Sequence, residues 1–236
     1  MTQSVSLSYE DEQAFLTLHR PPANLLDHTV CDEIERHART LAHVSPAGGL
    51  IVTAADTFCG GLDPASFDSE DGDEAKALYV SVNRMLAAFY SIGCPVTAAL
   101  NGDAAGIGFV LALCADYRLV HDSAQISLQH TITGMPFPRV AVEIMHAEMT
   151  PQSLRSLALG GISMTPQSAL SAGLIDQTVS GGLLDTARTL TANRADNAAF
   201  SAIKRQLRSD VIERCHALAD QDSDPATAAL GILMLD

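Results

Sequence analysis

The chain has 236 residues, enough for one domain with a sizeable core or one domain plus an appendage. Apolar residues make up 47% of it and the formal net charge is −14, which excludes a disordered chain and argues against nucleic acid or an anionic membrane surface as partner. An anionic small molecule is compatible with this charge if local basic side chains or backbone amides hold it. No apolar stretch reaches membrane-spanning length, and the opening MTQSVSLSYEDEQ has neither the basic nor the apolar region of a secretory signal. Five cysteines without C-x-x-C spacing read as reduced thiols, so a cytoplasmic location is expected. Cys59 reads as the filler of a tight loop rather than as a nucleophile.

Val5, Leu7 and Tyr9 alternate with polar residues, Asp11-Glu12 make a turn, and Ala14, Leu16 and Leu18 alternate again, predicting an antiparallel hairpin. The segment 19–22, HRPP, breaks it. Val30, Ile34 and Leu41 give 29–43 a helical apolar face, and a short strand follows at 50–53 after Gly48-Gly49. The acidic run DSEDGDE at 68–74 reads as a solvated loop. Leu78, Val82, Met85, Leu86 and Phe89 then predict a long helix over 75–92. A buried strand at 96–100 ends at the turn signal Asn101-Gly102, and 109–115 reads as a buried helix. Strands are predicted at 117–120 and 124–128, followed by an irregular loop, HTITGMPFP, at 130–138. Helices are predicted over 140–149, 154–159 and 166–172, with Pro166 in the first turn of the last and Gly173 at its end. A final strand covers 174–179, Gly181-Gly182 mark a boundary, and 183–236 is mainly helical.

The stretch 94–116, CPVTAALNGDAAGIGFVLALCAD, organises the rest. A strand, a glycine-rich corner (Gly102, Gly106, Gly108) and a helix N-terminus form a natural anion site, because the first helical N–H groups have no internal partner. The spacing is not G-x-G-x-x-G, so no dinucleotide fingerprint is present. A tight strand–helix corner with no ligand is the alternative. With Leu111-Ala112-Leu113-x-Ala115-Asp116-Tyr117-Arg118 behind it, this stretch resembles the central signature of the enoyl-CoA hydratase/isomerase (crotonase) family. The loop Phe58-Cys59-Gly60-Gly61-Leu62-Asp63 resembles that family's F-C/S-A-G-x-D loop. The segment 162–179 resembles its G-x-A-x-A-x-x-G-L-V-D-x-V segment, and Arg20 to Leu26 its first loop. These similarities span about 16–179 in the right order.

The resemblance implies an α/β fold, a crotonase-like spiral of ββα units over 1–180, with a C-terminal helical region over 181–236 that covers the pocket and supports a homotrimer or homohexamer. It implies an acyl-coenzyme A thioester as substrate. It also implies an oxyanion hole from the backbone N–H groups of Leu62 and Ile107, the latter standing where the family usually has glycine. Gly60, Gly61, Gly106 and Gly108 shape that site, and Asp63 the pocket for the coenzyme's adenine. Arg20 is expected near the nucleotide end and Lys204 near a coenzyme phosphate, the alternative for each being a solvated surface cation. The acidic run would be a flap beside the acyl pocket. The family's two hydratase glutamates would fall at Val110 and His130, so neither is present. Val110 then lines the substrate site without chemistry, and Phe137 does so from a loop, GMPFP, that replaces a typical I-P-G-x-G-G run.

Valine moves no proton, whereas one histidine moves one, with an ordinary pKa near ~6.5 suited to neutral pH. His130 is the candidate base, or else a structural histidine. Glu143 is its substitute if it faces inward, or else a surface glutamate. No H-E-x-x-H, Cys/His metal pattern or G-x-S-x-G elbow occurs, so no metal or separate cofactor is expected and coenzyme A is part of the substrate. The expected activity is therefore enolate chemistry on an acyl-CoA thioester, with double-bond isomerisation favoured over two-glutamate hydration. A decarboxylase or thioester hydrolase is an alternative, as is a non-catalytic acyl-CoA binder or scaffold that kept the fold.

Overall fold

A computed structural model describes residues 4–68 and 72–228. β1 (Val5–Glu10) and β2 (Gln13–Leu18) form the expected hairpin, with Val5 opposite Leu18 and Glu10 opposite Gln13. Its turn, Asp11-Glu12, holds positive φ at both residues, the mirror-image geometry that matches strand twist. β2 continues into a parallel sheet through β3 (Leu50–Ala54), β4 (Val96–Leu100), β6 (Tyr117–His121) and β9 (Gln177–Val179), in the order β1-β2-β3-β4-β6-β9. The runs LIVTA and VTAAL are apolar almost throughout because both faces of the sheet are covered.

Alternate residues face opposite layers. Leu16, Leu50, Val52, Ala98 and Leu100 enter the main core with α1 (His28–His43), α2 (Asp73–Tyr90) and α3 (Ile107–Leu113). Phe15, Ile51, Ala99 and Leu119 pack on Leu183 and Ala187 of α8 (Leu183–Ala195). The second sheet is three two-residue strands: β5 (Ala104–Ala105), β7 (Ile126–Ser127) and β8 (Ser163–Met164). The turns of chain over 96–113 and 117–133 each place one strand in each sheet and then a helix, part of a crotonase-type α/β arrangement with helices in the C-terminal region.

Several boundaries differ from those read in the sequence. The strand over 124–128 contracts to β7, and that over 174–179 to β9, with Leu174 and Ile175 buried in the main core instead. β5 and β8 were unforeseen, since two residues have no readable period and only pairing across the sheet defines them. The loop over 130–138 begins as a short helix, α4 (His130–Thr133), ended by Gly134 at φ +70. The helix over 154–159 is instead α6 (Pro151–Leu154) followed by a π turn, Arg155–Leu159. α5 (Arg139–Glu148), α7 (Pro166–Ser171) and α9 (Phe200–Ala219) complete the set, with α9 resting on α2 and α5.

Candidate active site

Two glycines bring two loops into contact. Gly61 has φ +93, and a Cβ there would stand 2.9 Å from the carbonyl oxygen of Ala105. Gly106 has φ +53, and a Cβ there would stand 2.9 Å from Cε1 of His130. Only glycine reconciles those backbone angles with those distances. The loops are tied from behind: Leu26 N–H donates to Gly61 O at 2.8 Å and Asp63 N–H to Leu26 O at 2.9 Å, on either side of Leu62. Ala105 N–H donates to Cys59 O and Gly106 N–H to Ser127 O, each at 2.9 Å. These bonds leave the N–H groups of Leu62 and Ile107 without an acceptor among the described residues. Ile107 is the first residue of α3, so its N–H is an orphan of the helix start, at the positive end of the dipole.

A cavity of about 350 Å³ opens over this junction, lined by Gly60, Gly61, Leu62, Gly106, His130 and Met135 among others. His130 is its only titratable lining side chain among the described residues. The ring is 8% exposed and stacks on Phe137 with centroids 3.8 Å apart. Burial lowers its pKa to about 4, and no charge or hydrogen bond offsets the desolvation. His130 is therefore neutral at pH 7, with a ring nitrogen free to accept a proton. Its other side borders a second cavity, about 520 Å³, between α4, α5 and the π turn.

The sequence profile of the enoyl-CoA hydratase/isomerase family matches residues 10–227. The chain belongs to that family. The carnitinyl-CoA dehydratase of Proteus mirabilis is 29% identical over 217 residues, covering 89% of this chain and 82% of that one. The Escherichia coli carnitinyl-CoA dehydratase is 27% identical over the same shares. Among solved structures, the probable enoyl-CoA hydratase EchA3 of Mycobacterium tuberculosis superposes with a TM-score of 0.86 at 22% identity, covering 99% of this chain and 98% of that one. The enoyl-CoA hydratase of Bacillus halodurans gives 0.87 at 18%, covering 97% and 95%. At such identities the structural likeness concerns the fold.

Within this enoyl-CoA hydratase/isomerase fold the residues singled out from the sequence fall into three groups. Gly60, Gly61, Leu62, Gly106 and His130 line the first cavity together, whereas Phe137, stacked on His130, lines the second cavity instead. Ile107, Gly108 and Val110 lie behind it. The Ile107 and Val110 side chains are wholly buried in the main core and line neither cavity, so the isoleucine does not narrow the approach to its own N–H. Gly108 is needed for packing rather than for a ligand, since a Cβ there would stand 2.4 Å from Cys59 O.

The rest lie elsewhere. Arg20 lines neither cavity and, though partly exposed, is engaged by the protein: its guanidinium binds Asp63 at 2.7 Å, Asp27 at 3.0 Å and Leu25 O at 2.8 Å. Asp63 also caps a 3-10 turn (Pro64–Phe67) by accepting from Ala65 N–H at 3.1 Å, so this pair fixes the chain just after Leu62. Glu143 lines neither cavity, because α5 turns it toward α9, where Arg214 Nε donates to it at 2.8 Å. Lys204 is not a surface cation. Its ammonium is buried, 2.7 Å from Asp116 and 2.9 Å from Cys94 O, and borders a different cavity beside α9. Of the acidic run, residues 69–71 lie outside the described residues, as do 229–236 of the C-terminal region.

Of four further positioning residues, Asn24 belongs to the first-loop motif, whereas Tyr79, Asn83 and Asp224 carried no readable signal. The buried Asn24 donates to Thr57 O at 2.6 Å and Ala55 O at 3.1 Å, shaping the approach to the Gly60-Gly61 loop. Tyr79 donates from its hydroxyl to Pro136 O at 2.6 Å, beside Phe137. Asp224, 2% exposed, accepts from Arg139 N–H and from the Asn83 amide, each at 2.8 Å, while Asn83 accepts from Val140 N–H at 3.0 Å. The start of α5, directly after the Phe137 loop, is thus capped by side chains distant in sequence.

Proposed function

We propose that this protein is an acyl-CoA thioester enzyme that stabilises an enolate between the Leu62 and Ile107 N–H groups and moves one proton with His130. The observation that carries this reading is the pair of unpartnered N–H groups behind two abutting glycines, with a neutral imidazole against one of those glycines. A thioester oxygen held by those donors would put the carbonyl beside His130. Each preorganised donor aimed at developing charge contributes ~10²–10³ in rate.

The reaction that suits these groups is a shift of a double bond from the β,γ to the α,β position. His130 takes a proton from the α carbon, and the electron pair moves onto the thioester oxygen, where the two N–H groups hold it. The imidazolium then returns the proton at the γ carbon, so one base suffices and nothing is consumed. Ordinary two-carboxylate hydration has less support, since no carboxylate among the described residues lines the cavity.

Incubation in D₂O with saturated, α,β-unsaturated, β,γ-unsaturated and malonyl-type acyl-CoA thioesters, followed by NMR, tests this. Deuterium at an α or γ carbon, or a moved double bond, is the expected result. A hydroxyacyl product would return the protein to hydration, and released CO₂ or free coenzyme A would assign decarboxylation or hydrolysis. Line broadening without turnover would identify a non-catalytic binder.

A further inference from the structure

Among the described residues no hydrogen bond orients the imidazole of His130. A general base usually takes its orientation from a third group that bonds to it. Here two contacts stand in for that group. Gly106 lies at the Cε1 edge, and the Phe137 ring covers one face, with centroids 3.8 Å apart and planes 21° from parallel. Gly106 is fixed by its own N–H, bonded to Ser127 O at 2.9 Å. The orientation of the imidazole therefore depends on what holds Phe137. The loop over 134–138 holds itself weakly. Gly134 has φ +70 in open space, Pro136 and Pro138 have no N–H to donate, and Met135 N–H returns to His130 O at 3.0 Å. The firmer ties come from α2. Tyr79 and Asn83 stand four residues apart, on one helix face. The Tyr79 hydroxyl donates to Pro136 O at 2.6 Å, and Asn83 Oδ1 accepts from Val140 N–H at 3.0 Å. Asp224 accepts from the Asn83 amide at 2.8 Å, which fixes that side chain from behind. Phe137 lies between the two fixed points. Tyr79 is wholly buried and edge-on to Phe67, a wall of the oxyanion-side cavity, so no solvent competes for its bond. Burial also pushes the phenol pKa up, which keeps the hydroxyl a donor.

We propose that Tyr79 and Asn83 are positioning residues for His130: they pin the chain on either side of Phe137, and the pinned ring holds the imidazole against Gly106. This rests on the reading of His130 as the base for its effect on turnover, whereas the placement of the ring is measurable without substrate. Neither residue touches the reacting atoms. Releasing Pro136 O lets Phe137 leave the imidazole, which then gains water and rotamers and loses its alignment with the carbon it deprotonates. Of the described side chains lining the two cavities that border the ring, only His146 is otherwise titratable, so access of water rather than a neighbouring charge marks the release.

The test compares the full-length wild type with Tyr79→Phe, Asn83→Ala, Phe137→Leu and the double variant Tyr79→Phe/Phe137→Leu. The first readout is the fraction of His130 protonated at pH 5, from the NMR shift of its Cε1 proton. With the pKa at about 4, roughly one wild-type ring in ten is protonated there. In Tyr79→Phe most rings are expected to be protonated, as the value returns toward ~6.5. The second readout is deuterium exchange at the α carbon of butyryl-CoA. Its kcat should fall about ten- to a hundredfold in Tyr79→Phe with KM little changed, the cost of a misplaced reacting group. Because Tyr79 acts through Phe137, the double variant should be no worse than Phe137→Leu alone. Wild-type titration in folded Tyr79→Phe and Asn83→Ala would overturn the proposal, as would losses that multiply in the double variant. Two ties are tested so that a folding defect in one variant leaves the other to decide. Absence of exchange in the wild type would sink the role of His130 as base, and the titration would then decide by itself whether the ties place the ring.

Discussion

Replacing His130 by alanine removes the one titratable side chain that the described residues place at the Gly61–Gly106 junction. Deuterium exchange at the α carbon should fall by ~10²–10⁴, the usual contribution of a positioned base, with coenzyme A binding changed little. Unchanged exchange in His130→Ala would sink the role. The pH profile is a second test. Because burial holds the ring's pKa at about 4, the free base persists through neutral pH, and exchange should stay flat from there down to about pH 5 before falling toward 4. An inflection near the ordinary imidazole value would mean a solvated ring. Gly106→Ala should also lose exchange, since a methyl 2.9 Å from Cε1 pushes the ring from the N–H of Ile107, and φ +53 adds about 1 kcal/mol or more of backbone strain. Wild-type exchange in that variant would separate His130 from the oxyanion position.

At the scale of elements, the Phe137 loop and α5 are held by partners from α2 and from the end of the chain. Asp224 and Asn83 supply the start of α5 with the acceptors that its first N–H groups lack within the helix. Asp224→Ala should cost about 1–2 kcal/mol in urea unfolding, by analogy with the loss of an ordinary helix cap. A loss within a few tenths of that of an exposed substitution would show that water replaces the carboxylate. α9 is fastened differently. Lys204 and Arg208 meet Asp116 at 2.7 and 3.4 Å, Arg208 reaches Glu148 at 3.1 Å, and Arg208 also donates to Cys114 O at 2.9 Å. Burial lowers the Lys204 pKa, with Asp116 opposing that shift, while Glu148 and Asp116 hold the Arg208 guanidinium charged. Lys204→Met should therefore destabilise by about 3 kcal/mol, the lower end for breaking a buried pair, because Arg208 still faces the carboxylate. The melting temperature of that variant decides the point.

For the whole molecule, His130 and His37 give stability a direction with pH. Both rings have pKa values lowered chiefly by burial. The unfolded chain protonates its imidazoles below about 6.5, whereas folded His130 resists protonation down to about 4. Between those values the unfolded state binds more protons, so stability rises with pH and is lost as pH falls. From pH 7 to 5 the His130 share of that loss is up to ~2 kcal/mol. Urea midpoints for wild type and His130→Phe at both pH values measure it, and an equal pH dependence in the two proteins would contradict it.

Periodicity and punctuation in the sequence were enough for the hairpin, α1, α2, the buried strands at 50–53 and 96–100, and the glycine corner before α3, because each is written in neighbouring residues. The family was legible for the same reason: its glycine loops are contiguous motifs whose backbone angles only glycine tolerates. Folding alone decided which distant groups meet. Lys204 and Arg20 look like spare surface cations in the chain, yet the fold pairs them with Asp116 and Asp63, and it gives Glu143 to Arg214. The two-residue strands, the cap that Asp224 places on α5 and the space behind His130 are set by long-range packing, which has no sequence period. Local geometry is encoded where it occurs, whereas a cavity and a buried charge pair exist only once segments far apart in the chain have been brought together and water has been excluded between them.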